Sequence, residues 1–179
     1  MRIRNASGQW EPYTGLKPED LTRLSGLMTQ CLARQATVLI AVVGNKGVGK
    51  SLLGKLFRKE GIGPFKPRDI AVIDDDNMAV DFLFCFRRWH MDPCRGIDEL
   101  GPFLKYCKKK PVRIYIKSNP ESRITKADIV LRLSTDEEQR RLRLIKRYRR
   151  EKGDRVYVQT RNYAHEIKIA RRFEMSAVI

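Results

Sequence analysis

Residues 37–61 join three patterns in an order that few folds accommodate. "TVLIAVV" (37–43) is a continuous apolar, β-branched run, the signature of a strand buried on both faces of a parallel sheet. "GNKGVGKS" (44–51) follows with no spacer and carries Gly44, Gly47 and Gly49. "KSLLGKLFRKEG" (50–61) then reads as a helix ended by Gly61. A doubly buried strand must have cover on both faces, so this unit alone calls for an α/β, three-layer fold with a mostly parallel sheet flanked by helices.

The remaining patterns agree. "DIAVIDDD" (69–76), "VRIYIKS" (112–118), "DIVLRLS" (128–134) and a short terminal "FEMSAVI" (173–179) read as strands. Helical patterns are expected in "MAVDFLFCFRRWH" (78–90) and "IDELGPFLKYCKKK" (97–110), with Pro111 as the stop. A long basic helix, "TDEEQRRLRLIKRYRREKG" (135–153), and a helical "NYAHEIKIARR" (162–172) complete the set. Near the start, Leu21, Leu24, Met28, Cys31 and Leu32 fall on one helical stripe behind Pro18, which predicts a packing helix over 18–35. At 179 residues the chain is read as one domain, with 1–36 as an N-terminal extension and 37–179 as the core. That extension is also a candidate for a homodimer contact or a partner site.

No apolar run approaches the ~20 residues of a membrane-crossing helix. The N-terminus has no apolar segment behind its arginines, so a cytoplasmic location is expected. Lysine and arginine number 37 against 21 acids, a formal charge of +16, which favours nucleotides, nucleic acid or other polyanions. The four cysteines form no CxxC pair; Cys85, His90, Cys94 and Cys107 either surround a zinc ion at loose spacing or are incidental thiols.

Residues 44–51 satisfy G-x-x-x-x-G-K-[ST] between a strand and a helix N-terminus. Glycines let the backbone curl so that its N–H groups converge on phosphate oxygens, and the helix adds its positive end. The chain therefore resembles the P-loop NTPases from Thr37 onward. The resemblance implies that Gly44, Asn45, Lys46, Gly47, Val48, Gly49, Lys50 and Ser51 bind ATP, with Lys50 on the phosphates and Ser51 on Mg²⁺. No N-K-x-D or D-x-x-G motif speaks for GTP.

Within that class, "VIDDDNM" is similar to the D-x-D strand end of small kinases such as the adenylyl-sulfate, shikimate, gluconate and dephospho-CoA kinases. There Asp74 and Asp76 would hold the metal or a small hydroxyl acceptor; the plain alternative is a solvated acidic turn. "ADIVLRL" followed by an arginine-rich helix is similar to the kinase lid, with Arg143 and Arg147 closing over phosphate among Arg140, Arg143, Arg147 and Arg150 on one face. A solvated basic face or a nucleic-acid backbone contact explains the same arginines equally well. Arg87 and Arg88 stand where shikimate-type kinases bind an anionic acceptor. The rival resemblance is to ParA/MinD-like ATPases, which dimerise over ATP on DNA. Their early signature lysine is Asn45 here, with Lys46 one place later. A basic nucleic-acid-binding ATPase is the third reading.

Overall fold

The computed structural model describes residues 2–4, 10–12, 15–75, 79–82, 85–88, 96–104, 107, 109–148, 150–160 and 166–179, the first two segments and 79–88 as backbone alone. Two strands at the start, β1 (Arg2–Arg4) and β2 (Trp10–Pro12), form an antiparallel pair. Helix α1 (Pro18–Leu32) follows, with Pro18 at its first turn. Its stripe is used as expected, since Leu24, Met28 and Cys31 are fully buried in the main core.

β3 (Val38–Val43) is the middle of a five-stranded, all-parallel sheet whose order is β4 (Ile70–Asp74), β7 (Val112–Ile116), β3, β8 (Lys126–Ser134), β9 (Ala170–Val178). Val38 faces Val112 on one side, and Ile40 faces Ile129 on the other. Helix α2 (Lys50–Glu60) lies on one sheet face with α1, and Leu53, Leu56 and Phe57 enter the core there with Ile40, Val42, Ile114 and Leu131. Ala41, Val43, Tyr115 and Val130 point to the other face, covered by Leu100, Phe103, Cys107, Ile167 and Ile169. These layers match the α/β sandwich that the strand and helix patterns require.

Several local expectations are corrected. Residues 79–82 and 85–88 are not helical; β5 (Ala79–Phe82) and β6 (Cys85–Arg88) pair as antiparallel strands. Apolar and aromatic residues run together there without helical spacing, which suits a strand. Among the described residues of the helix expected at 97–110, α3 (Gly101–Leu104) is the helical part; Glu99 and Leu100, with left-handed φ of 49° and 61°, exclude an earlier start. The basic run is two helices, α4 (Glu137–Tyr148) and α5 (Arg150–Thr160), folded together as a hairpin. Residues 166–169 are irregular rather than helical, and β9 already begins at Ala170. The rest of that expected helix, at 162–165, lies outside the described residues.

Candidate functional site

The chain leaves β3 for β4 and β7 on one side, then returns across β3 to β8 and β9 on the other. The carboxyl end of β3 is thus the switch point of the sheet, the place where open parallel sheets hold ligands. Residues 44–49 occupy it. Gly44 has φ 141° and lies so near the Leu133 carbonyl that a Cβ would collide with it; Gly49, φ 104°, caps α2 in the left-handed region. The amides of Leu52 and Leu53 both donate to the Gly49 carbonyl at 2.9 Å, so α2 starts directly at the loop.

Lys50 is buried, and its Nζ donates to the Gly44 carbonyl at 2.7 Å, the Asn45 carbonyl at 3.1 Å and Ser118 Oγ at 3.1 Å. Ser118, two residues beyond β7, was not singled out from the sequence. Its signal was latent in the register, because Val42 and Ile116 are partners, which sets Gly44 and Ser118 level at the sheet end.

Asp74, at the end of β4, is level with Ile116 and shares the parity of Ile70 and Val72, so it sits on the α2 face of the sheet, buried. Gly54 lets α2 come close to that face: a Cβ there would stand 2.5 Å from Ile116 Cδ1 and 3.0 Å from Val72 Cγ1. Ser51 lies one turn earlier on the same side of α2. Asp75 turns the other way. Lys117 pairs with it, Arg123 Nε stands 3.4 Å away, and Tyr115 donates its hydroxyl at 3.3 Å. Arg123 also bridges to Asp98 at 3.0 Å. Burial first, and the Asp75 charge second, push the Tyr115 phenol far above its ordinary range. Asp76 lies outside the described residues, as do the side chains of Arg87, Arg88, Cys85, His90 and Cys94. Cys107 is a buried thiol raised by desolvation, and no cluster of three or more His, Cys, Asp or Glu side chains placed to hold a metal ion occurs among the described residues.

The arginines of α4 divide by role. Arg140 is fully buried. It donates to Glu137 at 2.8–3.1 Å, to Thr160 Oγ1 at 2.7 Å and to the Lys46 carbonyl at 3.3 Å, and it stacks on the Tyr157 ring. It is therefore an internal clamp and no part of a mobile basic face. Arg143 donates to the Val48 carbonyl at 3.2 Å. Arg143 and Arg147 line a cleft of about 420 Å³ together with Lys46, Lys50 and Ser51. Arg150 opens the second helix, exposed. Four cations and no carboxylate stand among the described lining residues, which leaves the cleft with a surplus of positive charge at a helix N-terminus.

No family model and no curated protein matches this chain. Among solved structures, one from Silicibacter sp. TM1040, provisionally described as a fructose transport system kinase, is similar with a TM-score of 0.48 and 16% identity, covering 87% of this chain and 98% of that one. No helix among the described residues is long and apolar enough to cross a membrane.

Proposed function

We propose that the chain binds Mg-ATP in the cleft between residues 44–51 and α4 and acts as a small kinase, moving a phosphoryl group to an acceptor hydroxyl. The observation that carries this reading is the cleft lining: Lys46, Lys50, Arg143 and Arg147 around the N-terminus of α2. A triphosphate is the common small ligand that needs that much converging positive charge. Lys50 would exchange its loop carbonyls for phosphate oxygens, and the loop amides would hold the remaining ones. Ser51 and Asp74, both on the α2 face, offer a hydroxyl and a carboxylate, the hard oxygen donors that suit Mg²⁺; bound there, the ion would offset charge on the phosphates. Arg143 and Arg147 would stabilise charge developing in transfer. Asp76, two residues beyond Asp74 in the sequence, is proposed as a metal or acceptor ligand.

Isothermal titration with Mg-ATP tests the reading. Lys50→Ala should weaken binding by tens-fold or more, and Arg143→Ala by about tenfold, in the range of lost charge-assisted hydrogen bonds. Unchanged affinity in Lys50→Ala would remove the phosphate assignment. Turnover intact in both Asp74→Asn and Asp76→Asn would return the strand end to an acidic turn.

A further inference from the structure

The loop has a second concavity on its other side. About 310 Å³ opens where the carboxyl ends of β3, β7 and β8 meet, near the low end of the ~300–1,000 Å³ of small-molecule sites. Its chemistry differs from that of the phosphate cleft. The two charged residues in its described lining are Arg132 and Glu137, and each has an opposite charge of its own: Arg132 pairs with Glu174 at 3.0 Å, and Glu137 with Arg140 at 2.8 Å. The lining therefore offers an anion no surplus cation to offset its desolvation. It does offer the hydroxyls of Ser118, Ser134 and Thr135, which both donate and accept, above an apolar floor that includes Val48 and Leu133. Such a lining fits a compact ligand with several hydroxyls on one face and C–H groups on the other.

Ser118 connects this pocket to the phosphate cleft. Its hydroxyl lines the one, and it accepts a hydrogen bond at 3.1 Å from Lys50 Nζ, which lines the other. We propose that the switch-point pocket binds a small uncharged polyol or sugar-like molecule, and that the Ser118–Lys50 hydrogen bond transmits its occupancy to the glycine loop. The site stands on its own lining and does not depend on phosphoryl transfer.

The test is ligand-observed NMR and thermal melting of the full chain with glucose, ribose and myo-inositol, set against glucose 6-phosphate and gluconate. At least one neutral compound should bind, raising Tm by about 3–5 °C at ~10-fold above its Kd, with the charged compounds at least tenfold weaker. Ser134→Phe, at an exposed strand end, fills the pocket and should weaken the neutral ligand at least tenfold; Thr135→Phe, outside regular structure, provides the same block if the first variant folds poorly. In ¹⁵N-labelled protein the ligand should shift the Gly44 and Gly49 amides, and Ser118→Ala, which removes one lining hydroxyl and the link to Lys50, should weaken binding by about 3- to 10-fold and suppress those shifts even at saturating ligand. The proposal is overturned if none of the neutral compounds binds, if the charged ones bind as tightly at the site that Ser134→Phe blocks, or if both filling variants bind like the parent. Neutral binding in a protein that fails to bind Mg-ATP supports the pocket and sinks the nucleotide reading alone.

Discussion

Arg140 carries a full charge where no solvent reaches it, and it survives there because Glu137, Thr160, the Lys46 carbonyl and the Tyr157 ring all receive it. Removing it leaves a void and unpaired polar groups, so Arg140→Met should cost about 2–4 kcal/mol, read as a lower urea midpoint at unchanged slope. Arg143→Ala, one turn on and half exposed, should leave the unfolding free energy within about 0.5–1 kcal/mol of the parent while reducing nucleotide affinity. A reversed pattern would exchange the clamp and the ligand contact. Tyr115 gives a pH dependence whose sign is fixed. Because burial and Asp75 raise its folded-state pKa, the folded chain keeps the proton that the unfolded chain loses. That stabilisation is complete below the ordinary phenol pKa of ~10 and fades as pH climbs beyond it. In an ultraviolet titration, one phenol should ionise only as the protein unfolds, and this component should be missing in Tyr115→Phe.

Two glycines show how tightly elements are set. A Cβ on Gly153 of α5 would fall 2.6 Å from the Ile145 backbone nitrogen of α4, and backbone cannot step aside. Gly153→Ala should therefore destabilise by about 1–3 kcal/mol although alanine is the better helix former, with the loss visible as weaker hydrogen-exchange protection in α4 and α5. At Gly54 the obstacle is the movable end of Ile116, so Gly54→Ala should cost less. These contacts also mark where sequence reading ends. The parallel strands were legible because a doubly buried strand is apolar throughout, as in 38–43 and 129–131. The course of the loop was legible because glycines between a doubly buried strand and a helix permit the positive-φ turn that leads from β3 into α2. The hairpin of α4 and α5 was hidden, since arginines at helical spacing continue through 140–150 and no proline interrupts them; the close approach at Gly153 that folds it back is a tertiary fact. Ser118 and the second pocket were hidden for the same reason, as they exist only once β7 and β8 flank β3.

Across the whole molecule the question is how much of the formal charge of +16 is specific. Exposed Arg150, Lys152 and Arg155 on α5 will attract any polyanion, and such attraction is shallow and quickly screened by salt. The cleft differs because its cations converge on a helix N-terminus and Lys50 is buried there. Thermal melting separates the two. A ligand at 100 times its Kd adds about 2.7 kcal/mol to a folded state that alone binds it, so Mg-ATP should raise Tm by roughly 5–11 °C in a domain of this size. Lys50→Ala should abolish that rise, whereas a sulfated polysaccharide, taken as a probe of surface charge, should affect parent and variant alike. The ATP effect should persist at 0.2 M salt, where the polysaccharide effect is largely screened. Equal ATP shifts in parent and Lys50→Ala, disappearing together with salt, would mean that the nucleotide senses only the basic exterior and that residues 44–51 form a glycine turn without a ligand.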